Sequence, residues 1–408
     1  MGISIVVVAD PSRRASSSPR SGAHIRRYAI YPFAGPDAVR YNPAMATSRA
    51  TRGNFFEDFE TGQLLRHAIP RTVTEGDVSL YIALTGDRRP MHCSAEVARS
   101  LGYARERVHD LLVFHMVFGK TVGDVSLNAV ANLGYADLRF GRPVYPGDTL
   151  RAESEVLGRR ETSSGTSGIV WVRTTGLNQR DEVVLSYARW VMVQKRGSAP
   201  TGAKDSPPLP AEVPASELHF HPELEPQMLS EVAWAFGGRA RWDDYVVGER
   251  IDHHGGMTIE ESDHMTATRL YQNTALVHFD QHAMAGSRFG RRLMYGGHVI
   301  SVAYAAAMNG FENGLGMLAW NGGQHVSPTF AGDTLYAWTE ITDKQPLTNN
   351  DSVGALRCRL VAAKNVDPVK EGVQRRIKDA EGKDAYDPRV VLDLDFWLAM
   401  PRKLASDE

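Results

Sequence analysis

At 408 residues, with 42% apolar and 23% charged side chains, the chain has the composition of a folded globular protein and enough length for two domains of ordinary size. Its formal net charge of −2 removes the electrostatic case for nucleic acid or an acidic membrane surface as partner. Two cysteines, Cys93 and Cys358, are too few for a disulfide framework and match no zinc-ligand spacing, which predicts a reducing, cytoplasmic setting.

Residues 1–53 read as a disordered or extended tail, because "PSRRASSSPRSGAHIRR" is rich in Ser, Arg and Pro and has no sustained apolar period. The apolar run Ile3–Ala9 is too short to cross a bilayer, and Met45 is an alternative start. A first repeat is expected over 54–196. Thr72 and Glu75 stand at capping-box spacing, so a helix is predicted from about Val73 to Leu84, ended by Gly86 and Pro90. "LLVFHMVFGKTVGDVSL" follows, too apolar around its circumference for a surface helix. Gly147-Asp148 then turns the chain into alternating, strand-like segments.

Prolines crowd residues 197–230, which read as a linker. Over 231–408 the order recurs, with Thr258/Glu261 as the second capping box, "LMYGGHVISVAYAAAMNG" as the second apolar helix and Gly332-Asp333 as the second turn. Thr258 stands 186 residues after Thr72, and the same offset sets Asn273 against Asp87 and His278 against His92. The charged stretch "NVDPVKEGVQRRIKDAEGKDAYDP" reads as decoration. One buried helix followed by antiparallel strands, twice over, predicts an α+β tandem (double) hotdog. In this fold each sheet wraps a central helix, and the two repeats pair as an internal pseudo-dimer.

"YIALTGDRRPMHCSAEVARSLGY" carries the chemistry, since Asp87 and His92 lie five positions apart on a constrained loop, where positioned acid–base groups are commonly found. The plain alternative makes Asp87 a turn cap and His92 a satisfied interior histidine. Cys93 lacks a partner base and reads as small buried filler. His278, Asp280 and His282 would share one face of a strand, but no further ligand completes a metal site, and none is expected. Walker, Rossmann and serine-elbow patterns are missing.

"LTGDRRPMHCSAE" resembles the hydratase signature of the MaoC-like (R)-specific enoyl-CoA hydratases, with Arg89 where that family usually has Asn. "HDLLVFHMVFGKTVGDVSLNAVANLGYADLRF", "RPVYPGDTL", "NTALVHFDQH" and "LMYGGHVISVA" resemble the mesaconyl-CoA hydratase subgroup, also called β-methylmalyl-CoA dehydratase. The resemblance spans nearly all of 54–401. It implies a cofactor-free lyase that adds water reversibly across a 2-enoyl-CoA, with Asp87 and His92 catalytic and the acyl-CoA as substrate. Oxyanion donors are expected at the start of the buried helix, near Val113, Phe114 and His115, with Phe114-His115 standing for the family's His-Gly. His298 is the approximate counterpart of His115. Arg88 and Arg89 are the candidates to meet a second carboxylate on the acyl group, by bidentate pairing. Asn273 cannot act as a base, so the second copy reads as a binding half-site or a degenerate one, with Asn273 and His278 as substrate-binding candidates. A homo-oligomer is expected. The alternatives are a general (R)-specific enoyl-CoA hydratase, a hotdog acyl-CoA thioesterase, and a binding module without turnover.

Overall fold

The most apolar segment of each repeat is a helix enclosed by sheet. The structure, a computed structural model, describes residues 52–403. Met45 and the expected tail lie outside those residues, apart from Arg52 and Gly53.

In the first repeat the short strands β1 (Leu64–Arg66) and β2 (Arg71–Thr72) precede helices α1 (Glu75–Thr85), α2 (Pro90–Cys93), α3 (Ala95–Ser100) and α4 (Asp110–Thr121). Long strands β3 (Ala129–Phe140), β4 (Thr149–Glu161), β5 (Ser167–Leu177) and β6 (Val183–Gln194) follow. After helix α5 (Pro226–Phe236) the second repeat supplies β7 (Arg250–Asp252), β8 (Met257–Thr258), α6 (Glu261–Leu270), α7 (Leu276–Phe279), α8 (Gln281–Met284) and α9 (Gly296–Ala306). It closes with β9 (Gly316–His325), β10 (Thr334–Leu347), β11 (Asn350–Lys364) and β14 (Val390–Pro401), and the charged insert between the last two carries the hairpin β12 (Arg376–Lys378) and β13 (Asp384–Tyr386).

Among the described residues one sheet runs β1-β4-β5-β6-β3-β9-β14-β11-β10-β7, with β2 on β4 and β8 on β10. The order reads the same from either end once β3 is matched with β9, so the two repeats meet at the antiparallel β3–β9 seam, where Leu138 faces Trp320 and Arg139 faces Ala319. Every residue of α4 is buried, as are Gly297–Tyr304 of α9, as expected for central helices with apolar residues all round. The linker segment is pinned rather than loose: Val213, Leu218 and Phe220 are buried, and Glu217 pairs with Arg139 of β3.

The helix starts differ from expectation. Thr72 lies in β2, where its hydroxyl meets that of Thr149 at 2.8 Å, and Thr258 in β8 meets Thr334 at 2.7 Å in the same way. Cross-strand pairing consumes both residues, and α1 begins two positions later. There Thr74 and Asp77 form the capping box instead, while Glu260 at the start of α6 makes no side-chain cap. Gly86 ends α1 at φ 70°, a left-handed conformation in which other residues are strained.

Candidate active site

Asp87 and His92 are each 2% exposed and lie on the loop and short helix that follow α1. Pro90 at the first position of α2 requires extended backbone at Arg89, and this turns the chain so that both side chains face inward. Asp87 Oδ1 accepts the Arg89 amide at 3.0 Å, and Oδ2 is ion-paired with the Arg89 guanidinium. His109, the residue capping α4, receives the Leu111 amide on Nδ1 at 3.0 Å, so its proton sits on Nε2, 3.3 Å from Asp87 Oδ2. Arg89 also donates to the Tyr304 carbonyl at 3.0 Å, and its guanidinium lies 3.7 Å from the centre of the Tyr304 ring.

Burial opposes ionisation of Asp87, but the adjacent Arg89 and then His109 outweigh it and hold the carboxyl well below the usual range. His92 goes the other way for bases. Burial, then the neighbouring His109 and Arg107, push its pKa well below the ordinary value, so the ring is neutral. Its Nδ1 donates to the Arg107 carbonyl at 3.1 Å, which leaves a lone pair on Nε2, a buried atom with no protein partner. The His92 and His109 rings stand 4.5 Å apart. The loop thus holds an ionised, fully engaged carboxylate beside a neutral imidazole with one open acceptor.

A cleft of about 390 Å³ opens nearby, lined by Arg107, Arg139, Arg142, Met317, His219 and His221 among others. It shares Arg107, Phe140 and Arg142 with a narrow inner space of about 20 Å³ that reaches Val108, Asp110 and Val113 at the start of α4. Asp87 and His92 do not line it; the strip Arg107–Asp110, whose carbonyl holds His92, stands between. Arg107 is fastened there by Asp110 at 2.9 Å and the Leu315 carbonyl at 3.3 Å. Gly316 permits this approach, since a Cβ there would come within 2.2 Å of Arg107 Nη2.

Several expected site residues fall elsewhere. Arg88 is exposed and lies outside the lining of the cleft, and Arg89 is consumed by Asp87 and Tyr304, so the Arg89 guanidinium is not open to an acyl carboxylate. The buried helix starts at Asp110, one turn before the expected donors. Val113 N–H is spent on the His109 carbonyl and Leu111 N–H on His109 Nδ1, which leaves the amides of Asp110 and Leu112 at the start of α4. Val113 does line the inner space, whereas Phe114 packs among Tyr135, Tyr187 and Trp320. His115 bonds to Ser301 Oγ at 2.7 Å and to the Tyr295 hydroxyl at 3.3 Å, and Ser301, not His298, is its counterpart by the 186-residue offset. Cys93 is exposed rather than buried. His278, Asp280 and His282 lie on helical turns, with Asp280 capping α8, and the described residues hold no cluster of metal-ligating side chains.

Asn273 accepts the Ala275 amide at 3.2 Å, and His278 Nδ1 bonds to the Leu293 carbonyl at 2.8 Å, repeating the backbone frame of the first site position for position. His109 and Arg107 were missed in the sequence. Their signal was present, since the offset carries His109 to Tyr295 and Arg107 to Leu293, but contacts over 15 and 22 residues give no local pattern. A separate row, Asp124–His67–Ser154, has triad-like spacings of 2.8 and 2.7 Å. The second repeat keeps it as Asn309 carbonyl–His253–Thr339 at 2.7 and 2.8 Å, with Ser154 and Thr339 buried in mid-strand, so the row pins strands and is no nucleophile.

Residues 36–379 match the Mesaconyl-CoA hydratase family. The chain belongs to that family. It is 52% identical over 358 residues to the β-methylmalyl-CoA dehydratase of Chloroflexus aurantiacus, covering 88% of this chain and 99% of the relative. It is 51% identical to the mesaconyl-CoA hydratase of Cereibacter sphaeroides, covering 87% and 100%. A solved MaoC-domain dehydratase from Chloroflexus aurantiacus superposes with TM-score 0.82 at 50% identity, covering 88% of this chain and all of that one. A Mycobacterium tuberculosis protein described as a double hotdog, at 24% identity and TM-score 0.70, shares the fold. This member of the mesaconyl-CoA hydratase family is accordingly an α+β double hotdog with lyase-type relatives. No helix among its described residues is long and apolar enough to cross a membrane.

Proposed function

We propose that the chain is a hydro-lyase that reversibly hydrates mesaconyl-CoA to β-methylmalyl-CoA without a cofactor, and that the first repeat carries the chemistry. The observation behind this assignment is the buried His92 ring, held through Nδ1 by the Arg107 carbonyl with Nε2 unfilled, on the same loop as the Asp87–Arg89 ion pair. A base must take a proton from water as its oxygen bonds to the β-carbon, and the alkene electron pair moves toward the thioester oxygen. The free lone pair of His92 suits that role. Asp87, locked to Arg89 and far too acidic to exchange protons near neutrality, fixes His109 and stabilises the positive charge that develops on His92. The imidazolium then returns a proton to the α-carbon, completing net addition of water. Charge on the thioester oxygen would meet the unspent amides at the start of α4, where the helix dipole favours an anion.

The test is incubation of the purified chain with mesaconyl-CoA. Loss of enoyl absorbance with a product heavier by one water is expected, and release of free thiol instead would assign a thioesterase. Turnover of crotonyl-CoA at a comparable rate would make the chain a general enoyl-CoA hydratase.

A further inference from the structure

Across the outer cleft the inter-repeat chain alternates Leu218 and Phe220, both buried, with His219 and His221, both exposed, as an extended segment alternates its faces. A mere spacer would not be fastened so closely. Val213 N–H donates to Asn321 Oδ1 at 2.8 Å, the Tyr103 hydroxyl donates to the His221 carbonyl at 2.8 Å, and Glu217 pairs with Arg139. These ties hold the two histidine rings, 6.3 Å apart and nearly parallel, against the cleft.

The charges at this mouth are unequal in their commitments. Arg107 is paired with Asp110, and Arg139 with Asp137 and Glu217, while Arg173 shares Asp137. Arg142 is exposed and takes no side-chain hydrogen bond or ion pair among the described residues, though its charge helps to lower the pKa of Glu182. The lining therefore includes one guanidinium without a hydrogen-bonded or ion-paired partner, together with two exposed imidazoles. Deeper in, the shared wall of Phe140, Gly141 and Pro143 leads to the narrow space at α4.

We infer that Arg142, with His219 and His221 of the linker, forms a mouth that holds the phosphates of the CoA thioester. The inference rests on the hydratase reading above for the identity of the thioester. A polyanionic head matches a rim that presents an exposed guanidinium and two exposed imidazoles. The linker is then a wall of the binding site as well as a connection between repeats.

The test compares kcat/KM for mesaconyl-CoA with that for the corresponding pantetheine thioester, which has no phosphate. Arg142→Ala and the double variant His219→Ala/His221→Ala should each lower the ratio of the two by about tenfold, mainly through KM for the CoA substrate. A ratio equal to that of the unaltered protein would overturn the inference, whether both activities fell together or neither fell. If the unaltered protein turns over neither thioester, the hydratase reading fails by itself. Calorimetric binding of free CoA then tests the mouth directly: affinity about tenfold weaker in Arg142→Ala supports it, and equal affinity rejects it.

Discussion

The two half-sites share a backbone and differ in charge. In both, a side-chain oxygen receives the amide two residues on, and a histidine Nδ1 bonds to a carbonyl fifteen residues on, at 3.1 Å in the first and 2.8 Å in the second. On this common frame Asp87 becomes Asn273, Arg89 becomes Ala275 and His109 becomes Tyr295. The changes are coupled. A buried carboxylate needs its guanidinium, and a buried guanidinium needs its carboxylate, so a copy that loses one is stable only if it loses both. The second loop has the same frame without the ion pair.

The comparison can be broken most sharply by copying the second site into the first. Asp87→Asn should lower hydration of mesaconyl-CoA by about 10²–10⁴-fold, measured as kcat/KM. A residual rate near that of the unaltered protein would move the chemistry to the other repeat. Next in size is the effect on stability. Arg89→Ala alone strands the Asp87 carboxylate and should cost about 3–5 kcal/mol in denaturant unfolding, while Asp87→Asn/Arg89→Ala, which copies both changes, should recover most of that loss without recovering activity. Additive losses would show that the pair is not coupled.

Acid should then distinguish this interior from one without histidines. Burial pulls the pKa of His253, His264, His278 and His325 down to about 4, and lowers His92 and His115 as well. The unfolded chain takes up these protons near pH 6.5, while the folded chain resists them. Stability is therefore complete above about pH 6.5 and falls as the pH drops from there toward 4, which Tm against pH would show as a steep decline over that window. A flat profile would place those rings in contact with water. The smallest effect expected is that of Asn273→Asp, which restores the acid but neither Arg89 nor His109 at their counterparts. It should change kcat less than about twofold while lowering Tm, because the new carboxylate is buried without a cation. A doubling of kcat would mean that the frame alone suffices.

The internal repeat, the two apolar helices and the Gly-Asp turns could be read in the sequence because each is a short-range pattern. The 186-residue offset holds through Asp87, His92, Arg107 and His109, which is why one copy could be used to interpret the other. Helix starts were misplaced by two or more residues, since whether Thr72 caps a helix or extends a strand depends on Thr149, 77 positions away. Arg89 shows the same limit at the site. Its type and place on the loop suggested a partner for substrate, but folding brings Asp87 and the Tyr304 carbonyl to it first.

By itself, the order of residues determined that this chain is a duplicated α+β unit with an acid and an imidazole on one constrained loop, because hydrophobic period and turn chemistry act over a few positions. Tertiary structure alone decided which of those groups are charged, that His109 joins them and that the linker walls the cleft. Ionisation of a buried group is set by the neighbours that folding delivers, and those neighbours come from distant parts of the chain.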